Sequence, residues 1–350
     1  MPKIFLPPAL IALADHLLQH LRAASGAALA DWNGARLLGE RAKLMQFAPT
    51  PLVSANGSCH LICCENNRWI ALNLARATDW DLLPALFQGN VAINTTETLR
   101  ELAARQPAQA LVEQGRLLGL AIALVPEQNT VAAAATMDPV RLLKQGKTSA
   151  PRTPSVLDLS SLWAGPLCSQ LLLQCGAAVT TVESQHRPDG ARLNPHPGAQ
   201  QFYERLHCGK QHIILDFSSA ADLQHLKQLI ANADIVIEAS RPRALQQLGI
   251  IAEDVIRQSS HKIWVSITGY GRALPQGNWI AYGDDAAAAA GLVQWKYNAP
   301  QFIGDAIADP LTGAQAALAA WQCWTRGESA LLDISLYAAA GRATLHFQEH

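Results

Sequence analysis

The stretch SVLDLSSLWAGPLCSQLLLQCGAAVTTVE spans residues 155–183 of this 350-residue chain. It opens with a short aliphatic run (155–159), continues with a helix-length amphipathic stretch (165–176) and closes with a β-branched run (178–183). A strand, a helix and a second strand in this order predict a βαβ unit, in which the two strands are parallel.

The same alternation continues along the rest of the chain. Strands are predicted at residues 212–217, 234–238 and 262–267, and a helix at 219–232 with Ser218 or Ser219 as its cap. The sequence therefore predicts an α/β fold with a Rossmann-like parallel sheet and flanking helices. The first turn lacks the G-x-G-x-x-G pattern, which disfavours a dinucleotide site even though Glu183 ends the second strand where a ribose-binding acid would lie.

The pattern divides the chain into three parts. Residues 1–126 are predicted to form a smaller α+β portion, with a hairpin at 59–64 and 69–74 and helices near 79–87 and 95–104. Residues 127–154 contain polar residues and an alanine run and are closed by Pro151 and Pro154, and they are the predicted linker. Residues 155–350 are predicted to form the Rossmann-like part.

Composition limits the classes of function. A 49% hydrophobic content is ample for a buried core, and a formal net charge of −1 leaves no electrostatic footprint for nucleic acid or an anionic membrane. The N-terminus reads as neither a signal peptide nor a membrane span, because prolines and Asp15 interrupt its short apolar stretch. Seven cysteines without a C-x-x-C pair predict reduced thiols in a cytoplasmic protein.

A metal site is considered at Cys59, Cys63 and Cys64, with His60 as a further ligand. Adjacent residues of a strand point to opposite faces of its sheet, so Cys63 and Cys64 would not face one ion. We therefore expect no metal at these cysteines.

A carboxylate at a helix start is the most informative feature of the C-terminal half. Residues 307–313 read Ile-Ala-Asp-Pro-Leu-Thr-Gly, and an alanine-rich run follows to residue 324. Asp309 is predicted as the N-cap and Pro310 as the first helical residue. A carboxylate held there suits a structural cap or a nucleophile, and the cap is the commoner role.

The order of several short motifs favours the nucleophile over the structural cap for Asp309. Residues 156–159 (VLDL), 164–166 (AGP), 208–210 (CGK), 240–242 (SRP) and 307–313 (IADPLTG) follow one another at a particular spacing. From residue 155 to 337 the chain resembles the family III coenzyme A transferases, which include formyl-CoA:oxalate and carnitine CoA-transferases. In that family the Asp of D-x-x-(S/T)-G is the catalytic nucleophile, and Asp309, Thr312 and Gly313 match it.

The resemblance implies transfer of CoA from an acyl-CoA to a carboxylic acid, through anhydride and enzyme–CoA thioester intermediates. It implies CoA as a substrate and no metal or tightly bound cofactor. It also implies CoA contacts at Trp163, Ala164, Leu215, Asp216, Phe217, Ser218, Ala239, Ser240, Arg241 and Tyr282. Arg241 is the first candidate for a CoA phosphate, and Lys210 and Arg187 are weaker ones. Ala239, Ser240 and Gln247 depart from the family pattern, which puts one phosphate contact in doubt. The scarcity of Arg and Lys near these positions favours a bulky apolar acyl group.

Other interpretations stay open. One is an acyl-CoA racemase of the same fold, which would use a His-Asp pair at the position where this chain has Tyr282-Gly283-Asp284-Asp285. Because this segment has no histidine, one of the two bases needed for α-proton exchange is missing, and a racemase is disfavoured. Asp284 and Asp285 are first interpreted as a helix N-cap. A non-catalytic CoA-binding homologue is the third possibility.

Residues 1–126 also resemble the family's C-terminal part, placed before the catalytic part instead of after it. The chain is therefore interpreted as a possible circular permutation, which neighbouring termini tolerate. The resemblance implies a homodimer, since family members form interlocked dimers.

Overall fold

A computed structural model describes residues 4–48, 50–89, 93–128, 130, 132–138, 140–147, 153–259 and 261–348. Its helices, in chain order, are α1 (Pro8–Ser25), α2 (Gly34–Met45), α3 (Ala77–Asp81), α4 (Leu83–Leu86), α5 (Thr96–Ala103), α6 (Ala108–Leu118), α7 (Ala164–Gln174), α8 (Gly190–Leu193), α9 (Pro197–His207), α10 (Ala220–Asn232), α11 (Pro242–Gln247), α12 (Ala252–Gln258), α13 (Gly283–Ala289), α14 (Ala308–Thr325) and α15 (Leu336–Gln348). Its strands are β1 (Cys59–Cys63), β2 (Trp69–Asn73), β3 (Ala121–Val125), β4 (Val140–Lys147), β5 (Ser155–Asp158), β6 (Ala178–Ser184), β7 (Gln211–Leu215), β8 (Ile235–Glu238), β9 (Ile263–Thr268), β10 (Val293–Lys296), β11 (Ala299–Phe302) and β12 (Glu328–Ser335).

The main sheet has the strand order β4-β12-β9-β8-β5-β6-β7. Six of its strands are parallel, and only the edge strand β4 runs antiparallel, against β12. The predicted α/β fold with a Rossmann-like parallel sheet is thereby confirmed. The carboxyl ends of β5, β6, β7 and β8 lie at one edge of the sheet, which is where ligands bind in open parallel sheets.

Helices cover the sheet because its parallel strands are apolar on both faces. The alanine-rich α14 is buried on most of its circumference and packs against α1, α7 and α15. A helix that is apolar all round is a core helix, and small alanine side chains allow its neighbours to approach closely. The cap of α10 is Ser219, whose hydroxyl accepts a hydrogen bond from the backbone N–H of Asp222.

The predicted boundary of the smaller portion is wrong. Helices α1 and α2 do not join it, because Leu10, Leu18 and Leu37 share the main hydrophobic core with residues of α7 and α14. The smaller portion begins near residue 59 as the antiparallel sheet β1-β2-β3 with α3 to α6, and it has a separate core. The predicted hairpin is confirmed, with Cys59 opposite Asn73 and Cys63 opposite Trp69.

The predicted linker at residues 127–154 is also corrected. Residues 140–147 form β4, whose backbone pairs with β12 from Val140 opposite Ile334 to Lys147 opposite Glu328. Backbone pairing, rather than an apolar pattern, places this segment in the sheet, so polarity alone is a poor signal for an edge strand. Residues 148–152 lie outside the described residues. Among the residues that are described, no helix is both long and apolar enough to cross a bilayer.

The smaller portion is joined to the main part by polar and apolar contacts. Strands β2 and β3 pack on α13, and the Asn73 side-chain amide donates a hydrogen bond to Asp285 Oδ1 at 3.0 Å. We therefore expect a single backbone cut, at a protease site inserted between residues 127 and 131, to leave two fragments that stay associated and unfold in one transition. Size-exclusion chromatography and calorimetry measure this, with the uncut protein carrying the same insertion as control. Fragments that separate and melt independently would contradict the expectation.

Candidate active site

Asp309 lies in the first turn of α14, but it is not the N-cap. The helix begins at Ala308, so Asp309 is the second helical residue and Pro310 the third. The preceding residues already turn, with the Asp309 N–H donating to the Ala306 carbonyl at 2.9 Å, which is why the helix starts earlier than the sequence predicts. The carboxylate still lies at the positive end of the helix dipole.

The backbone of Gly283, at the start of α13, fixes the Asp309 carboxylate. Burial raises the pKa of Asp309, and the Gly283 N–H, which lies near this carboxylate and favours the ionised form, lowers it. A Cβ atom at position 283 would lie 2.4 Å from Asp309 Oδ2 and 2.4 Å from the Ala306 carbonyl oxygen, distances that no side chain tolerates. Only glycine therefore allows α13 and α14 to approach closely enough for this contact.

The other residues of the D-x-x-T-G pattern position the helix. The buried Thr312 hydroxyl donates to the Ala308 carbonyl at 2.6 Å, within its own helix. A Cβ atom at Gly313 would lie 2.6 Å from the Ala164 carbonyl oxygen, so this glycine permits close packing of α14 on α7. The motif thus combines one carboxylate with two residues that determine where it sits.

Arg41, from α2, enters the site from a distant part of the sequence. Its guanidinium donates two hydrogen bonds to the fully buried Asp305 carboxylate, from Nε to Oδ2 at 2.8 Å and from Nη2 to Oδ1 at 2.5 Å. The same guanidinium lies 4.6 Å from the centroid of the Trp163 ring, a cation–π distance. Arg41 is the residue that sequence reasoning missed, because it is 264 positions from Asp305 and belongs to no motif.

Three carboxyl groups, those of Asp284, Asp305 and Asp309, lie close to Arg41. Burial raises the pKa of Asp309 to about 7; the charge of Arg41 opposes that rise and the charge of Asp305 adds to it. Burial also raises the pKa of Asp284, whose Oδ1 accepts a hydrogen bond from the Ala306 N–H at 2.8 Å. Asp284 and Asp285 are the second and third residues of α13 behind the N-cap Tyr282, so the prediction that they form the N-cap is wrong.

A cavity of about 270 Å³, the central cavity, has Asp309 in its wall. It brings together most of the predicted site residues, which come from four different loops and helix starts: Trp163, Ala164, Ala239, Ser240, Arg241, Tyr282 and Asp309. These residues lie after β5, after β8 and at the starts of α13 and α14. The strand ends therefore converge on the carboxylate.

A second cavity, of about 420 Å³, adjoins the central cavity at Ser161 and Ser240. We call it the sheet-end cavity, because it lies at the carboxyl ends of β6, β7 and β8. Its wall includes Arg187, Phe217 and Ser218.

Three other predicted contacts do not lie where the sequence places them. Leu215 is buried in the core, and the Asp216 carboxylate instead accepts from Ser218 and lies 3.2 Å from His186 Nε2. Lys210 is buried, with its ammonium 2.6 Å from the Ser169 hydroxyl and 3.5 Å from Asp158 Oδ2. These interactions satisfy Lys210 internally, so it is a poor phosphate ligand.

A third cavity, of about 690 Å³, lies between the smaller portion and the main part. We call it the arginine cavity, for the arginines in its wall: Arg76, Arg116, Arg241 and Arg243. It shares Arg241, Trp279 and Ile280 with the central cavity. The expected scarcity of basic residues near the site is thus wrong, because folding brings in two arginines from the smaller portion.

The cysteines considered for a metal are placed separately. Cys59 and Cys64 are buried, and Cys63 is partly exposed. All seven cysteines are free thiols. Within the described part of the chain, no three His, Cys, Asp or Glu side chains converge to hold a metal ion.

Comparison with known proteins agrees with the motifs. Residues 154–346 match the model of CoA-transferase family III. An acyl-CoA transferase of Fusarium pseudograminearum is 31% identical over 173 residues, 45% of this chain and 38% of that protein. The human succinyl-CoA:glutarate CoA-transferase is 29% identical over 194 residues, 53% of this chain and 44% of that protein.

Solved structures agree as well. The crystal structure of a hypothetical protein from Mycobacterium tuberculosis matches with a TM-score of 0.51 and 27% identity, over 57% of this chain and 60% of that one. The chain spans about half the length of the curated relatives it matches.

The ion pair between Arg41 and Asp305 can be tested by a double-mutant cycle. Arg41→Gln leaves the buried Asp305 carboxylate without its partner, and we expect it to lower the free energy of unfolding by about 3–5 kcal/mol. Adding Asp305→Asn removes the uncompensated charge and should recover much of that loss. Arg257→Gln, which breaks an exposed pair with Asp254, is the control and should cost less than about 1 kcal/mol. Denaturant unfolding measures Arg41→Gln, Asp305→Asn, the double variant and the control, and purely additive effects of the two site substitutions would contradict the pairing.

Proposed function

The chain belongs to CoA-transferase family III, and we propose that it transfers CoA from an acyl-CoA to a carboxylic acid with Asp309 as the nucleophile. The observation that carries this proposal is the position of the Asp309 carboxylate, which lies against the Gly283 backbone in the wall of the central cavity. A carboxylate is the nucleophile that this chemistry requires, because its acyl derivatives react again with a thiolate or a second carboxylate.

The reaction proceeds in four substitutions. The Asp309 carboxylate attacks the thioester carbonyl, so that an acyl anhydride forms and the CoA thiolate leaves. The thiolate then attacks the aspartyl carbonyl, which gives an enzyme–CoA thioester and releases the first carboxylic acid. The acceptor carboxylate attacks this thioester, forming a second anhydride and the thiolate again. Attack of the thiolate on the acceptor carbonyl gives the new acyl-CoA and restores Asp309.

No step of this scheme changes an oxidation state or needs a Lewis acid. Each substitution exchanges a carboxylate and a thiolate at a carbonyl that is already activated, as an anhydride or as a thioester. We therefore propose that the protein uses no metal and no tightly bound cofactor, and that CoA enters only as a substrate.

The cavities suggest how CoA would lie. Its thioester must reach Asp309 in the central cavity, and the sheet-end cavity adjoins it at Ser161 and Ser240. We place the nucleotide in the sheet-end cavity, with Arg187 as a phosphate ligand and Phe217 and Ser218 beside it. Trp163, Ala164, Ala239, Ser240 and Tyr282 would then contact the pantetheine arm, and Arg241 would lie beyond it.

The alternatives receive less support. A racemase needs bases on both faces of the α-carbon, and among the described residues that line the central cavity there is no histidine. Neither aspartate lines the central cavity: Asp284 accepts a hydrogen bond from the Ala306 N–H, and Asp285 accepts from the Tyr282 N–H and the Asn73 amide. A non-catalytic CoA-binding protein would not need a carboxylate in the wall of the central cavity.

Three further features are proposed. The order of the parts supports a circular permutation, with residues 59–125 in the role of the family's C-terminal part. Seven free thiols support a reducing, cytoplasmic location. A homodimer is proposed from the resemblance to the family.

The first prediction for this function concerns Asp309→Asn. The amide has the size of the carboxylate and can keep its place against the Gly283 backbone, but an amide cannot attack a thioester. We expect loss of transfer to below about one hundredth of the wild-type rate with an unchanged or higher melting temperature, since a buried ionisable group is removed. Asp254→Asn, on the exposed face of α12, is the matched control and should keep full activity. Retention of more than a few per cent of turnover by Asp309→Asn would exclude Asp309 as nucleophile.

The second prediction concerns pH. Only the ionised Asp309 attacks, and its pKa in the folded protein is about 7. We expect kcat/KM to rise with pH, to level off above pH 7, and to show the same inflection with acceptors of different acidity, because those acceptors ionise well below this range. The conservative variant Arg41→Lys keeps a positive charge and should keep the inflection near its place, whereas Arg41→Gln should move it to higher pH. A profile that is flat between pH 5.5 and 8 would contradict the assignment.

A further inference from the structure

The first turn of the Rossmann-like part contains a strained residue. Leu162 lies between β5 and α7 with a φ angle of 68°, in the left-handed region that a leucine side chain disfavours. Among the described residues that line the central cavity, it alone has a positive φ. Such strain persists only where the surrounding contacts hold it, and it is commonest at functional sites.

The Asp189 carboxylate holds this conformation. It accepts a hydrogen bond from the Leu162 N–H, at 3.3 Å to Oδ1 and 3.2 Å to Oδ2, and another from the Ala191 N–H at 2.8 Å. Asp189 is buried, and its own N–H donates to Glu183 Oε1 at 2.7 Å. Arg192 pairs with the same glutamate at 2.9 Å. A chain of polar contacts from β6 and α8 therefore fixes the backbone of Leu162.

The next residue, Trp163, does not explain why a leucine stands at this turn. Its buried ring packs edge to face on Phe202, with the centroids 5.1 Å apart, and lies 4.6 Å from the Arg41 guanidinium. A glycine at position 162 would allow the same turn without strain and would leave these contacts in place. The leucine side chain, rather than the turn, is therefore the feature that needs a reason.

The Leu162 side chain lies where the two cavities that we assign to CoA meet. It lines the central cavity together with Asp309, and the preceding Ser161 lines both the central and the sheet-end cavity. A Cβ atom at Gly190, where α8 begins, would lie 3.9 Å from Leu162 Cδ2. Leu162 is also 44% exposed, so its side chain lies between the cavity and the solvent. With CoA placed as above, it covers the pantetheine arm where the arm approaches Asp309.

The two covalent intermediates need a cover of this kind, because water competes with the thiolate and the acceptor carboxylate. Attack of water on the acyl carbonyl of the anhydride breaks the bond to the Asp309 oxygen and gives the free acid. Attack on the aspartyl carbonyl of the enzyme–CoA thioester breaks the C–S bond and releases CoA as the thiol. In both cases water supplies the hydroxyl to the carbonyl carbon and a proton to the leaving group. Exclusion of water from a closed site prevents these side reactions.

We propose that Leu162 excludes water from the anhydride and the enzyme–CoA thioester, and so determines the ratio of transfer to hydrolysis. Leu162 is then a specificity-determining residue that favours a carboxylate acceptor over water, and Asp189 is the residue that positions it. This inference rests on the proposed function, which supplies the two intermediates.

Transfer and hydrolysis can be measured in one reaction. Acetyl-CoA, butyryl-CoA and succinyl-CoA are each incubated with the protein and with their own acid carrying an isotopic label. Transfer converts the labelled acid into labelled acyl-CoA, whereas hydrolysis leaves free CoA. Liquid chromatography with mass spectrometry measures both products, and the release of CoA without protein is subtracted.

For Leu162→Gly we expect the amount of CoA released per labelled acyl-CoA to rise roughly tenfold, because a leucine side chain no longer excludes water. Its melting temperature should be unchanged or higher, since glycine adopts a positive φ without strain. Leu162→Ala should raise the ratio as well. Leu162→Met, which keeps the volume of the side chain, should stay close to the wild type.

Two controls separate this effect from a general loosening of the protein. Leu193→Ala removes another exposed leucine, on α8, and should leave the ratio unchanged. Adding Asp309→Asn to Leu162→Gly should abolish the release of CoA, because both intermediates form on Asp309.

The possible outcomes are distinct. An unchanged ratio in Leu162→Gly and Leu162→Ala, with transfer intact, would overturn this inference and leave the proposed function standing. An equal loss of transfer and hydrolysis would mean that Leu162 serves substrate binding, which also overturns it. A wild-type protein that forms no labelled acyl-CoA from any of the three thioesters would contradict the proposed function, and the inference would fall with it.

Discussion

The contact between the Gly283 backbone and the Asp309 carboxylate determines how this molecule is arranged. It requires α13 and α14 to meet at their first turns, at a distance that only glycine permits. The carboxyl groups of Asp284, Asp305 and Asp309 lie at this junction. The central cavity also opens there. A carboxylate whose direction is fixed before substrate binds loses little freedom in the reaction, which is how an enzyme lowers an activation barrier without additional groups.

Segments from far apart in the sequence converge on the same junction. Arg41, on α2, neutralises Asp305 beside Asp309, and Asn73, on β2, bonds Asp285 at the start of α13. Each of these contacts places a polar partner against a buried carboxyl group, which would otherwise be costly to bury. The N-terminal helices and the smaller portion therefore contribute side chains to the surroundings of Asp309 and α13.

The sequence predicts the sheet well because its strands are short β-branched runs separated by amphipathic helices, a local pattern. The strands beginning at Ser155, Ala178 and Ile235 lie within one residue of their predicted positions. Strand β4 could not be predicted in the same way, since it is an edge strand held by backbone pairing with β12. Helix starts were also misplaced, as at Asp309, because a turn before the helix depends on tertiary contacts of residues 304–307.

The site can likewise be predicted only where its residues belong to a local sequence pattern. Asp309, Trp163, Ser240 and Tyr282 belong to motifs or follow strands, and they do line one cavity. Arg41, Arg76 and Arg116 carry no local signal, because their roles follow from where their helices and loops pack. Leu215 and Lys210 were predicted as ligand contacts because they occupy family positions. In the structure Leu215 packs in the core, and Lys210 pairs with the buried Asp158.

The central claim is that Asp309 carries the transferred groups, and the most direct test is to trap them on the protein. The wild-type protein is incubated with an acyl-CoA, quenched with hydroxylamine, digested and mapped by peptide mass spectrometry. Both the anhydride and the enzyme–CoA thioester react with hydroxylamine at the aspartyl carbonyl, so the account predicts a hydroxamate on Asp309 that forms only with acyl-CoA and is absent from Asp309→Asn. A hydroxamate on another residue, or continued turnover with no modification at Asp309, would contradict it.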